Sequence, residues 1–179
     1  RLYNRAGVDS ADVKLLIHGN VGSGQSFTDS SLSNIPITAV GDVTHSTAES
    51  KFSGGSIFFD GTGDYLNVGS SNATYTDVFY DVNGLDFTYD FWIYRTGSGR
   101  RGIISSHTGP GYDDIEIEFT ASNTIMGGYR TTAMAFLAVT TTTALAVDTW
   151  YHVALVRQSG ILKIYLNGIL EDTDATTYT

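Results

Sequence analysis

Short runs in which apolar and polar residues alternate are the main pattern along this chain, and they predict strands rather than helices. The clearest run covers residues 86–94, where aromatic or aliphatic side chains occupy every second position. Successive side chains of a strand point to opposite faces, so these positions share one face. We expect that face, which comprises Phe87, Tyr89, Phe91 and Ile93, to lie in a core.

The same pattern predicts many further strands, separated by turns rich in Gly, Asn, Ser and Thr. They are expected at 13–17, 35–40, 43–45, 56–59, 64–68, 101–106, 115–120, 124–126, 133–139, 150–157 and 161–167. The loop Asp60-Gly61-Thr62-Gly63 is predicted to close a hairpin between residues 56–59 and 64–68, and Gln158-Ser159-Gly160 to join the last two strands. Many short strands without helical crossovers predict an antiparallel sandwich or jelly roll.

Composition narrows the class of partner. The 179 residues fit one domain, and 41% hydrophobic and 12% aromatic content supplies a core without disulfides, since Cys is absent. Ten basic and 19 acidic residues give a net charge of −9, which repels nucleic acid phosphates and anionic lipids. No apolar run approaches the roughly 18–20 residues of a membrane span, so we predict no membrane insertion. Because the sequence opens at Arg1, we treat it as part of a longer protein.

Seven segments carry a family resemblance through their order and spacing over about residues 12–172. They are LLIHGN at 15–20, FTDSS at 27–31, KFSGGS at 51–56, FDGTGDYL at 59–66, DFTYDFWIY at 86–94, TWYHVALVR at 149–157 and LKIYLNG at 162–168. Together they resemble laminin G-like domains of the concanavalin A-like lectin/glucanase superfamily, particularly those of phage tail, fibre and other virion proteins. The resemblance implies an all-β, antiparallel concanavalin A-like jelly-roll sandwich.

The resemblance also implies domain limits. Residues 1–11 form an N-terminal lead-in and residues 12–179 the sandwich domain. Such domains usually continue past the Asn167-Gly168 turn into strands that return to the N-terminal edge, so we expect the last strands to be missing here. The exposed edge is then expected to be short, covered or paired with another chain.

A structural calcium ion near the first strand is a further implication of the resemblance. Asn20, Asp29 and nearby carbonyl groups are its candidate ligands. Asp29 could equally be a turn residue that binds its own backbone. Asp60 and Asp64 around the Gly-rich loop are additional candidates, for which turn formation is the alternative.

Three carboxylates, Asp114, Glu116 and Glu118, occupy one face of a predicted strand. This resembles the Glu-x-Asp-x-Glu strand of laminarinase-type and lichenase-type glycoside hydrolases, whose outer pair is the nucleophile and the general acid. The order here is Asp-x-Glu-x-Glu, which disturbs the carboxyl separation of roughly 5–5.5 Å that a retaining mechanism needs. We prefer the alternative of a half-buried strand with its acidic residues in water.

Four tyrosines fall in or beside predicted loops, where their rings could stack on sugars or contact neighbouring subunits: Tyr75, Tyr80, Tyr112 and Tyr129. The sequence therefore predicts a non-enzymatic binding or structural module, on a virion or a cell surface, whose partner is a glycan or a neighbouring protein subunit. The alternative is a carbohydrate-active enzyme domain that uses Asp114, Glu116 and Glu118.

Overall fold

The structure is a computed structural model, and it describes residues 11–69, 85–106, 115–130 and 135–175. The chain divides into two compact units, Arg1–Val78 and Phe79–Thr179. The described residues contain β-strands and no helix, and all strand pairs are antiparallel. The predicted all-β antiparallel fold is therefore confirmed. Among the described residues no helix is long and apolar enough to cross a membrane.

Within residues 11–69, the described part of the first unit, four short strands form two two-stranded sheets. Strand β1 (Ile37–Val40) pairs with β4 (Tyr65–Val68), and β2 (Thr44–Ser46) pairs with β3 (Ser56–Phe58). The predicted strand at 13–17 is reduced to an isolated bridge between Ile17 and Asp29.

The predicted hairpin around Asp60–Gly63 is wrong, because β3 and β4 are not partners. Residues 37–46 instead run antiparallel to residues 56–68 as one interrupted ladder. The interruption places residues 41–43 opposite residues 59–64. Residues 59–64 are the longer of the two unpaired segments, so the Gly-rich loop bulges out between the two paired stretches.

In the second unit, the first sheet has the strand order β12-β11-β10-β5. Its strands are β5 (Phe87–Tyr94), β10 (Trp150–Gln158), β11 (Ile161–Leu166) and β12 (Ile169–Asp174). The predicted hairpin of β10 and β11 is confirmed, and so is the strand over residues 86–94. The sequence did not predict β12 as a strand.

The second sheet of this unit has the order β6-β7-β8-β9. Its strands are β6 (Arg101–Ser105), β7 (Ile115–Phe119), β8 (Ile125–Arg130) and β9 (Phe136–Thr140). The two sheets pack face to face: the Phe87 ring meets the Tyr129 ring edge-on at 5.8 Å, and Leu155 fills the space above Gly127. Ile115, Ile117 and Ile164 are fully buried in the core between them.

Candidate functional site

The face of the second sheet that points away from this core is the candidate site. Since Ile115, Ile117 and Phe119 face the core, Glu116 and Glu118 of β7 point to the opposite side. Cross-strand pairing places Gly128 of β8 beside Glu116, and β9 continues the row. We call this surface the outer face; it contains Arg100, Glu116, Glu118, Met126, Gly128, Arg130, Phe136 and Ala138.

A glycine on the outer face makes room for an aromatic ring. A Cβ at Gly128 would lie 2.4 Å from the Leu137 carbonyl oxygen and 2.8 Å from Cζ of Phe136. The Phe136 ring therefore lies over a strand position that no side chain can occupy. It remains 36% exposed, and the Arg130 guanidinium carbon is 5.5 Å from its centroid. The result is an open aromatic surface flanked by charged groups.

The two outer-face glutamates share one arginine. Nε of Arg100 donates a hydrogen bond to Oε2 of Glu118 at 2.7 Å, and its Nη2 lies 3.9 Å from Oε1 of Glu116. The Glu118 side chain is 9% exposed, whereas that of Glu116 is 39% exposed. The preferred interpretation of this strand is confirmed for its inward isoleucines. Its acidic residues are not all in water, because Glu118 is buried against Arg100.

This arrangement bears on the hydrolase alternative. The carboxyl group of a general acid must face the leaving group of the substrate, whereas Oε2 of Glu118 accepts the hydrogen bond from Nε of Arg100. The Glu118 carboxylate is therefore engaged in an ion pair with Arg100 rather than directed at a substrate site. Asp114, the third carboxylate of the predicted set, lies outside the described residues.

The expectation that Tyr129 lies in or beside a loop is wrong. Tyr129 belongs to β8, is 2% exposed, and its hydroxyl accepts a hydrogen bond from Nε of Arg157 at 3.0 Å. Its position opposite Ile115 turns it into the core, so its ring is not available for stacking on a surface ligand. Tyr75, Tyr80 and Tyr112 lie outside the described residues, and their predicted role stays a prediction.

Asp29 has the environment of a turn residue. Its Oδ1 accepts the N–H groups of Leu16 and Ser31, and its Oδ2 accepts the N–H of Ile35 and the Ser31 hydroxyl, all within 2.9 Å. Burial acts to raise the pKa of Asp29, but the hydrogen bonds, that from Ile35 foremost, outweigh it and hold the pKa below its usual value. A carboxylate offers about four lone-pair sites, and all four are used. Asp29 does not fit a calcium ligand, although calcium binding itself stays a prediction, as does the role of the exposed Asn20.

The break in the first unit's ladder brings three carboxylates together. One oxygen each of Asp42, Asp60 and Asp64 lies within 4.8 Å of the others. The Asp64 carboxylate accepts the N–H groups of Asp60 and Asp42, which lowers its pKa, while the hydrogen bond and charge of Asp64 raise the pKa of Asp42. Asp60 also accepts the N–H of Thr62, so the predicted turn role of these residues fits the structure. We call this group the acid loop.

The sequence interpretation missed the residues that shape the outer face. Arg100 and Phe136 come from different strands or loops, and only the sheet register brings them to one side. One local pattern was available: Gly127-Gly128 inside an apolar strand, which often marks a close approach of another group.

Comparisons with known proteins agree with this fold. The family model Laminin_G_3, described as the concanavalin A-like lectin/glucanases superfamily, matches residues 60–179, more than half of the chain. No curated protein sequence matches the chain.

Two solved structures show the same fold at low sequence identity. The binding domain of botulinum neurotoxin serotype G is 15% identical with a TM-score of 0.65, and the match covers 90% of this chain and 39% of that chain. The binding domain of Paraclostridial Mosquitocidal Protein 1 is 14% identical with a TM-score of 0.64, covering 86% of this chain and 39% of that chain. The chain thus spans about two fifths of the length of each of these two binding-domain structures.

Proposed function

Since the chain belongs to the concanavalin A-like lectin/glucanases superfamily, we propose that it is a non-enzymatic binding module that recognises a glycan on its outer face. This architecture carries lectins, enzymes and scaffolds alike, so the proposal rests on the site rather than on the fold.

The observation that carries the proposal is the Phe136 ring above Gly128. Sugars present apolar C–H faces and a rim of hydroxyl groups, and ligand sites commonly combine aromatic surface with a few placed polar groups. Phe136 offers the aromatic surface for the apolar face of a sugar. Glu116 of β7 and Arg130 of β8 offer an acceptor and donors for the sugar hydroxyls. Because residue 128 is glycine, the Phe136 ring can approach the strand between them closely, and it still leaves 36% of Phe136 exposed to a ligand.

The absence of catalysis is the second part of the proposal. Glu118 is held by Arg100 in a charge-assisted hydrogen bond, and such bonds are about twice as strong as neutral ones. A carboxylate used in this way fixes the loop before β6 onto β7. We propose that Glu118 is a structural residue rather than a general acid.

An extracellular or virion location completes the proposal. The solved structures with this fold include the binding domains of a botulinum neurotoxin and of a mosquitocidal protein, and the seven sequence segments resemble those of phage virion proteins. At a cell surface or on a virion, the partner would be a glycan of the host or a neighbouring protein subunit.

A glycan array tests the proposal, using the full chain and two phenylalanine variants. Phe136→Ala is expected to weaken binding about tenfold or more, since that corresponds to about 1.4 kcal/mol of lost stacking. Phe58→Ala, which removes a similarly exposed ring (47%) from the first unit, is the matched control and is expected to bind normally. Circular dichroism confirms that both variants fold.

Three results would overturn the proposal. Equal losses in Phe136→Ala and Phe58→Ala would remove the outer face as the site. Release of reducing ends from any bound glycan by the wild type, abolished in Glu118→Gln, would show an enzyme. An array without binding by a folded chain would favour attachment to a neighbouring subunit instead.

A further inference from the structure

The segment that joins β5 to β6 and includes the first residue of β6, residues 95–101 (RTGSGRR), concentrates positive charge in an acidic chain. It contains three of the ten basic residues of the protein and no acidic residue. Thr96, Gly97 and Ser98 are exposed, as is Arg101. Of this basic loop, only Arg100 belongs to the outer face, and the stacking surface around Phe136 does not use Arg95 or Arg101.

Arg95 lies beneath the loop with part of its hydrogen-bonding capacity unused. It is 8% exposed; its Nε donates to the Gly97 carbonyl, and its guanidinium carbon is 4.2 Å from the Phe119 ring centroid. Its Nη1 is buried without a hydrogen-bond partner, and none of the described carboxylates forms an ion pair with it. Burial, and secondarily the charge of Arg101, lowers the pKa of Arg95.

Arg101 adds a second uncompensated charge at the surface. Its Nη1 donates to the Arg100 carbonyl, and it has no carboxylate partner among the described residues. Arg100, in contrast, is paired with Glu116 and Glu118. Of the three guanidinium groups, one is therefore neutralised locally and two are not.

We propose that the basic loop binds an oxyanion, namely the sulfate or carboxylate group of an acidic glycan. Arg101 and the exposed loop residues make the direct contacts, while Arg95 holds a fixed positive charge beneath them. The net charge of −9 does not prevent this, because charges farther away than a Debye length of about 8 Å are largely screened at physiological ionic strength. The assignment of the anion to a glycan rests on the proposed function, whereas the assignment of an anion site to the basic loop does not.

Inorganic sulfate tests the site apart from any glycan. Titration at constant ionic strength, with sodium chloride as the competing salt, is followed by amide NMR. Sulfate is expected to shift the amide resonances of Gly97 and Gly99 in a saturable way. Arg101→Gln is expected to weaken sulfate binding about fivefold or more, because one charge-assisted contact is lost.

The control variant is Lys163→Gln, which removes one positive charge from β11. Lys163 pairs with Val156 near the end of β10, whereas Arg95 follows Tyr94, which pairs with Trp150 at the start of β10. It is expected to bind sulfate as the wild type does. Arg95→Met, which keeps the packing on Phe119, is expected to weaken binding as well, and amide spectra report whether it folds. Absence of saturable shifts, or equal weakening in Arg101→Gln and Lys163→Gln, would overturn the proposal.

Two further arms separate this proposal from the glycan proposal. Sulfate binding is expected to survive in Phe136→Ala, which disables only the stacking surface, so loss of glycan binding with retained sulfate binding would refute the glycan site alone. Sulfated, uronate-containing and neutral oligosaccharides then identify the anion. Binding of the neutral one with unchanged affinity in Arg101→Gln would refute the acidic-glycan assignment.

Discussion

Asp29 is the residue whose replacement gives the sharpest test of how the first unit is held together. Its carboxylate joins residue 16 to residues 31 and 35 through four hydrogen bonds. We expect Asp29→Asn to destabilise this unit strongly. The asparagine amide keeps one acceptor oxygen but replaces the other with a donor, which then faces the N–H of Ile35.

The magnitude follows from what the variant leaves unpaired. Ile35 is 5% exposed, so its N–H group cannot turn to water when its acceptor is lost. An unsatisfied buried donor costs about 1–3 kcal/mol, and hydrogen bonds to a charged acceptor contribute about 1.5–3 kcal/mol each. Loss of the Ile35 bond and weakening of the others together predict a cost of about 2–4 kcal/mol at pH 7.

The effect should also depend on pH with a definite sign. The pKa of Asp29 is lower in the folded protein than its ordinary value near 4, so its contribution is present above that value and is lost as the pH falls through the folded pKa. The difference in stability between wild type and Asp29→Asn is therefore expected to be full at pH 6–7 and to shrink below about pH 4.

Urea unfolding at pH 7, 5 and 3 measures this difference, and amide hydrogen exchange at Ile35 reports the first unit specifically. Asp12→Asn, at an exposed carboxylate, is the matched control and should change neither quantity. If Asp29→Asn costs no more than Asp12→Asn, or if exchange at Ile35 stays unchanged, the carboxylate does not hold this unit together.

Three further predictions concern other parts of the chain. Gly128→Ala is expected to lower the free energy of unfolding by about 1–3 kcal/mol, because the new Cβ meets the Leu137 carbonyl. Gly102→Ala, whose Cβ would meet no atom within 4 Å, is the control and should cost little in thermal unfolding, and equal costs would refute the close approach. Glu171→Gln is expected to lose stability at pH 7, because hydrogen bonds from Thr142 and Thr143 hold the pKa of Glu171 below its ordinary value of 4.5. The difference from the wild type is expected to shrink as the pH falls below about 4.5, and a difference that does not change with pH in acid unfolding curves would contradict this. Calcium in an NMR titration is expected to shift the amide of Gly41 at the acid loop and not that of Leu16, and the reverse would restore Asp29 as its ligand.

The strands could be predicted from sequence wherever alternation and burial coincide. In residues 87–91 half-buried aromatic side chains alternate with exposed polar ones, and in the hairpin of β10 and β11 Leu155, Leu162 and Ile164 are buried. The pairing in the first unit could not be predicted in the same way. The Gly-rich loop after Phe59 has every local property of a hairpin turn, yet tertiary pairing of β3 with β2 and of β4 with β1 prevails over it.

The candidate site was less accessible to sequence reasoning than the fold, and the reason is the register of the second sheet. A shift of one residue in β8 would exchange Gly128 for Tyr129 on the outer face and turn the Phe136 surface into a crowded one. The interpretation of Tyr129 as a surface aromatic failed at this point, since the pattern around two consecutive glycines does not reveal which neighbour faces the core. What fixes the register is the inward side, where Gly127 admits Leu155 and the Tyr129 hydroxyl meets Arg157. The outer face, and any glycan specificity that it has, is therefore set by contacts made in the core.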